Sequence, residues 1–242
     1  MVQFIDRGDG IRLAATFQPG RGPTLLFLPG YMSDMSGTKA QHLLQWAADT
    51  GRQCLLLDYS GCGRSEGDFD SGSIRRWAAD AKAVADALAP GPLLPIGSSM
   101  GGWIMLHLAL ADRPRIHALV GIAAAPDFTD WGFSVEEKVY LNRYGRLERP
   151  NPYGDAPTVT TRRFWASGEA NRVTIGPIAI DAPVRLLHGQ RDRDVPWQLA
   201  TRIAELLRSD DVQTWLVKDG DHRLSRDQDI ALLIRAVESV AP

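Results

Sequence analysis

The chain has 242 residues, a length that fits one larger domain with a sizeable buried core. Hydrophobic residues make up 44% and charged residues 23%, and 27 basic against 29 acidic side chains leave a net charge of −2. That balance excludes a strong long-range field for nucleic acid or an acidic membrane, and no apolar stretch reaches bilayer length, so stable membrane insertion is not expected.

The first residues, QFI and then IRLAATF around Gly8-Asp9-Gly10, predict an antiparallel hairpin at one sheet edge. They show no basic start followed by an apolar run, so no signal peptide is expected. Six continuous apolar runs follow: TLLFLPG (24–30), CLLLDYSG (54–61), PLLPIGSS (92–99), ALVGIAAAP (118–126), VRLLHGQRD (184–192) and VQTWLVKDGD (212–221). Such runs suit strands buried on both faces, as in a parallel sheet. Helical spacing appears between them, at 38–50, 73–88, 101–111, 197–207 and 227–240, with Ser73 placed to cap the second helix. Alternating strand and helix predict an α/β sheet with right-handed crossovers. The two cysteines, Cys54 and Cys62, form neither a disulfide nor a metal framework, which fits a reducing, cytoplasmic setting.

Residues 127–180 break the rhythm. No buried strand is legible there, and short helices are predicted near 134–146 and 160–170. The region carries Trp131, Phe133, Tyr140, Tyr144, Tyr153, Phe164 and Trp165, together with Arg143, Arg146, Arg149, Arg162, Arg163 and Arg172. An insertion this long predicts a cap or lid within a single domain spanning 1–242, its aromatics covering an apolar pocket. Its arginines are read as solvated, the sharper alternative being contact with an anionic part of a substrate.

The chemistry concentrates at Gly97-Ser98-Ser99-Met100-Gly101-Gly102, which follows a predicted strand and precedes a predicted helix. A strand, sharp turn and helix built on G-x-S-x-G form a nucleophile elbow. The serine there occupies a strained backbone position, so the residues two before and two after must lack bulk. Gly97 and Gly101 flank Ser99 in that way, whereas Ile96 and Met100 flank Ser98. Ser99 is therefore the candidate nucleophile.

A serine hydroxyl needs a base, and the base needs an orienting carboxylate. After an elbow the partners follow in the order acid, then histidine. His222, in KDGDHRLS after the last strand, falls at the carboxyl ends of the strands, where α/β ligands bind. His42 and His107 fall on helices, His117 begins a strand, and His188 in Leu-His-Gly reads as a packed, hydrogen-bonded residue. Asp192 in HGQRDRDVPW is the favoured acid. Asp194 is its nearest rival, Asp127 a variant possibility, and Asp219 and Asp221 are further candidates. Two backbone N–H groups should hold an oxyanion: Met100, directly after the nucleophile, and Tyr31 in LFLPGYMS. GCGRSEG (61–67) lacks the third glycine of a dinucleotide fingerprint in its proper place and reads as a turn supporting the site.

LPGYMSDMSGTKA, LDYSGCGRSEG, GSSMGGW, RLLHG with a following Asp and VPW, and DHR occur in this order along the chain. Together they resemble the α/β-hydrolase superfamily, and within it the small acyl-hydrolase family of the mitochondrial palmitoyl-protein thioesterase that also cleaves mycophenolic acid acyl-glucuronide. The resemblance implies an α/β-hydrolase fold, a mostly parallel sheet flanked by helices with a cap insertion. It implies a serine hydrolase of esters or thioesters, with Ser99 as nucleophile, Asp192 as acid and His222 as base, acting on a small or acylated substrate without cofactor or metal. A peptidase, a general carboxylesterase and a catalytically silent binding protein are the competing readings. A haloalkane dehalogenase would carry Asp in place of Ser99.

Overall fold

A computed structural model describes residues 1–152 and 154–241, and Tyr153 of the irregular region lies outside the described residues. Ten strands run along them: β1 (Val2–Asp6), β2 (Arg12–Gln18), β3 (Arg21–Leu28), β4 (Arg52–Leu57), β5 (Leu93–Ser98), β6 (Leu119–Ile122), β7 (Arg146–Arg149), β8 (Thr158–Thr161), β9 (Val184–Gly189) and β10 (Val212–Val217). Eight of them form one sheet in the order β1-β2-β4-β3-β5-β6-β9-β10. The expected hairpin is β1 against β2, and β2 also runs antiparallel to β4. From β4 to β10 every pairing is parallel.

Side chains alternate across a strand, so each apolar run feeds two cores. On β3, Leu26 and Leu28 join one core, while Leu25 and Phe27 join the other. Helices α2 (Ile74–Leu88), α3 (Met100–Ala111) and α7 (Gln198–Leu206) pack on the first side. Helices α1 (Thr38–Thr50) and α8 (Asp227–Glu238) pack on the second. Ser73 caps α2 as expected, its Oγ accepting from Arg76 N–H at 3.2 Å. Among the described residues no helix is long and apolar enough to cross a membrane.

Three expectations change. The run at 212–221 is not buried on both faces: β10 has only β9 beside it, and Leu216 remains 39% exposed. Residues 127–180 do contain strands, because β7 and β8 pair antiparallel with Arg146 opposite Thr161. Their alternating polar residues hid this pairing from a reading based on apolar runs. The reading of the insertion's arginines as solvated changes only in part: Arg143, Arg146, Arg162 and Arg163 are exposed, whereas Arg149 is half-buried against Glu137 and Arg172 is half-buried against Asp130 and Glu169.

Between β6 and β9 lie α4 (Phe128–Trp131), α5 (Val135–Tyr144), the β7–β8 pair and α6 (Arg162–Ala170). Asp127 ties this insertion at its base. Its buried carboxylate accepts from the N–H groups of Val173 and Thr174, both at 2.8 Å, and from the Thr174 hydroxyl at 2.5 Å.

Helix α3 is apolar all round and correspondingly buried, the behaviour of a central helix. Its approach to the sheet depends on missing side chains. A Cβ on Gly101 would lie 2.0 Å from the Leu28 carbonyl oxygen, and one on Gly97 would lie 2.4 Å from the Gly101 oxygen. Gly97→Ala and Gly101→Ala are each expected to destabilise the fold by at least about 3 kcal/mol in urea titration. Gly91→Ala, where an added Cβ meets nothing within 4 Å, should stay within about 1 kcal/mol of the wild type.

Candidate active site

Ser99 joins β5 to α3 with φ 54° and ψ −121°, a backbone conformation that costs a non-glycine residue energy. The surrounding backbone holds it: Ser99 N–H donates to Ile122 O at 2.9 Å, and Ser99 O accepts from Gly102 and Ala125. Ser98, one residue earlier, ends β5 as a buried strand residue. The β3–α1 loop passes directly beside the turn, since a Cβ on Gly30 would lie 3.3 Å from the Ser99 Cβ.

His222 occupies the loop between β10 and α8. Its Nε2 lies 3.2 Å from Ser99 Oγ and its Nδ1 lies 2.8 Å from Asp192 Oδ2. A proton on Nδ1, donated to the carboxylate, leaves Nε2 to accept from the serine hydroxyl. Asp192 follows β9, and its loop meets the histidine loop through glycine backbone. A Cβ on Gly189 would lie 2.3 Å from the Gly220 oxygen, and Arg191 N–H donates to Gly220 O at 2.8 Å.

The Asp192 side chain is fully buried yet well supplied with donors. Asp194 and Val195 N–H groups donate to Oδ1, each at 2.9 Å. His188 Nε2 lies 3.1 Å from Oδ2, the oxygen that His222 also takes. Burial pushes the carboxyl up, but the hydrogen bonds from His188 and His222 outweigh it and hold its pKa well below the usual carboxylate range. His188 is thus packed and hydrogen-bonded, as its sequence setting predicts, and its partner is the site carboxylate. The sequence offered a spacing of four residues but no way to tell which acceptor the imidazole faces.

The remaining candidates go elsewhere. His42 contacts Thr38 O, His107 Asn171 O and His117 Val240 O. Asp219 pairs with Arg226, and Asp221 accepts from Leu224 N–H. Asp127 serves the insertion rather than His222. Asp192, Asp194 and His222 present ligand-type atoms within 4.8 Å of one another. Both Asp192 oxygens, however, already accept N–H groups, so the trio is wired as hydrogen bonds. Cys54 and Cys62 are buried free thiols, pushed up to about 12 by burial.

Tyr31, in the β3–α1 loop, lines the same cavity as Ser99, and Met100 follows Ser99 as the first residue of α3. The Tyr31 hydroxyl donates to Val159 O of β8 at 2.6 Å, and its ring packs against Phe69, Trp77, Phe128 and Phe164. Burial raises its phenol far above the ordinary value. The side chain therefore joins the loop beside Ser99 to the insertion.

A cavity of about 550 Å³ opens over Ser99 and His222. Its walls correct the expected aromatic, apolar cover. Among the described residues the insertion contributes Arg149, Pro150, Asn151, Pro152 and Thr158, while Phe164 is buried beneath Tyr31. Asp34, Lys39, Asp194 and Arg223 add charge. The Lys39 amine donates to the Arg223 carbonyl. Burial, reinforced by the Arg223 guanidinium, lowers its pKa to about 8.

A serine on the tight turn after β5 of a mostly parallel sheet places the chain among hydrolases of the α/β class. The chain belongs to the α/β-hydrolase family, whose model matches residues 23–153. It is 35% identical over 243 residues to the mitochondrial palmitoyl-protein thioesterase ABHD10 of Homo sapiens, covering 99% of this chain and 79% of that protein. Its fold is similar to the crystal structure of a putative hydrolase from Agrobacterium vitis S4 (TM-score 0.93, 39% identity, 100% and 98% coverage). It is also similar to alpha/beta hydrolase domain-containing protein 10 from mouse (TM-score 0.92, 34% identity, 99% and 97% coverage).

The lowered Lys39 pKa has a measurable consequence. The folded state holds this proton more weakly than the unfolded chain, where lysine titrates near ~10.4. The resulting stability is present above that value and is lost as pH falls through about 8. Lys39→Met is expected to be more stable than wild type at pH 7 by roughly 1–2 kcal/mol, allowing for water near the amine. Urea midpoints should converge as pH approaches 10; a gap independent of pH would contradict this.

Proposed function

We propose that the chain is a serine hydrolase that cleaves carboxylic esters and thioesters through an acyl-enzyme on Ser99. The observation that carries this reading is the unbroken relay from Ser99 Oγ through His222 to Asp192, at 3.2 and 2.8 Å, beside an open cavity. The 35% identity to a palmitoyl-protein thioesterase supports acyl transfer, with thioesters among the substrates.

In this reading Ser99 Oγ attacks the acyl carbonyl while His222 Nε2 takes its proton. The developing oxyanion is held by the backbone N–H groups of Tyr31 and Met100, the second at the positive end of α3. His222 then returns the proton to the leaving thiol or alcohol. Water, activated by the same imidazole, releases the acid and restores the serine. Asp192 stays ionised throughout, fixes the imidazole tautomer and stabilises the imidazolium. His188, on the same carboxylate oxygen, helps keep that charge in place.

The test is a rate series over acyl-CoA, nitrophenyl-ester and acyl-glucuronide substrates of varied chain length. Ser99→Ala should lose turnover by about a million-fold, and Asp192→Asn by about ten-thousand-fold, going by serine proteases. Ser98→Ala should stay within about tenfold of wild type, its side chain being outside the relay. Activity surviving in Ser99→Ala but not in Ser98→Ala would overturn the assignment.

A further inference from the structure

The β3–α1 loop is fastened to the insertion at a single residue of β8. The Tyr31 hydroxyl donates to the Val159 carbonyl at 2.6 Å, and the Val159 N–H donates to Met32 Sδ at 3.4 Å. The two polar groups of one strand residue point to the same side. β7 takes one edge of β8, and two neighbouring side chains close the other at Val159. Residues 30–33 form a β-turn, closed by Ser33 N–H donating to Gly30 O at 3.2 Å. Met32 holds the third position of that turn at φ 54°, a conformation that β-turns ordinarily give to glycine or asparagine. Glycine would enter it without strain but has no side chain with which to reach β8. Backbone strain of this kind persists only where the surroundings over-determine it. Here they do so from two sides. A Cβ on Gly30 would lie 3.3 Å from the Ser99 Cβ, and Tyr31 and Met32 share the cavity wall with Thr158 of β8.

The turn thus lies between the serine and the insertion. The Tyr31 N–H belongs to the peptide that joins Gly30 to Tyr31, so any tilt of the turn moves that donor directly. Resting on the proposed acyl-enzyme reading, we propose that the Tyr31 hydroxyl and the Met32 sulfur are positioning groups for the oxyanion hole. They hold the turn against β8 so that the Tyr31 N–H stays aimed at the carbonyl attached to Ser99. The insertion then serves turnover as well as substrate binding, through two side chains anchored on its backbone. An oxyanion donor works because it is in place before charge develops, and one displaced by about an ångström loses much of its worth.

Tyr31→Phe keeps the ring and the main-chain N–H and removes only the hydroxyl. Met32→Leu keeps the bulk and removes the acceptor, whereas Met32→Gln restores an acceptor at similar reach. On a nitrophenyl ester, Tyr31→Phe and Met32→Leu should each lower kcat by about tenfold, less than the roughly hundredfold or more that a whole donor is worth. KM should stay within about twofold, since the interaction is made in the transition state. Met32→Gln should recover most of the loss. The decisive readout is a pair of inhibitors. An alkylthio trifluoromethyl ketone adds to Ser99 and places an oxyanion in the hole; the matching carbinol fills the same space and cannot add. The ketone should bind about tenfold more weakly to both variants, in step with kcat, while the carbinol stays within about twofold. Equal weakening of ketone and carbinol would make these contacts packing alone and overturn the positioning role. So would a Met32→Gln no better than Met32→Leu. Met32→Leu leaves the Tyr31 bond intact and carries the test if urea titration shows Tyr31→Phe to be unfolded. A wild type that forms no ketone adduct on Ser99 would overturn the acyl-enzyme reading and this role with it. An adduct equally tight in wild type and variants would overturn this role alone.

Discussion

The backbone of Ser99 is the constraint on which the rest of this structure depends. It is held at φ 54°, in a region an L-residue enters only when its surroundings insist. The insistence comes from main-chain bonds to Ile122, Gly102 and Ala125, and from helix α3 lying so close to β3 that Gly101 cannot bear a side chain. That contact gives α3 its direction and brings its first N–H groups beside the serine. The buried, apolar character of α3 follows from the same requirement, because a central helix pressed on a sheet has no face left for water.

The partners of Ser99 arrive on loops at the carboxyl ends of parallel strands, and their alignment is a backbone matter first. Gly189 against Gly220 brings the loop after β9 onto the loop after β10, and Asp192 and His222 then meet as a consequence. The carboxylate is kept charged in a buried place by four donors, two from main chain and two from imidazoles. Lys39 is treated in the opposite way: burial and the Arg223 guanidinium lower its pKa against the pull of Asp221 and Asp229.

Much of this was legible in the sequence because it is written in short range. Continuous apolar runs gave the parallel strands, and the two glycines around Ser99 chose it over Ser98. Chain order together with position after the last strand favoured His222, and the loop after VRLLHG favoured Asp192 over Asp194, Asp127, Asp219 and Asp221. The unread parts are those decided by long-range contact. The pairing of β7 with β8 carries polar alternation, which looks the same as loop when its partner is unknown. Asp127 ends a strand like a catalytic acid, but its acceptors serve Val173 and Thr174, and no local pattern records a bond across 46 or 47 residues. The insertion's aromatics suggested an apolar pocket. Phe164 instead packs on Tyr31 and Trp77, and among the described residues the insertion faces the cavity with Arg149, Pro150, Asn151, Pro152 and Thr158. Lys39 and Arg223 are 184 residues apart, and only the fold shows that they share a wall.

The central claim is that Ser99 carries the acyl group between the two halves of the reaction. Its most direct measurement is mass spectrometry of the protein after brief mixing with a slowly hydrolysed thioester and acid quench, followed by peptide mapping. The account predicts a covalent adduct equal to the acyl group, located on Ser99 and absent when His222 is replaced by alanine. An adduct on Ser98 or on a cysteine, or turnover of the thioester with no adduct on Ser99 at any quench time, would contradict it.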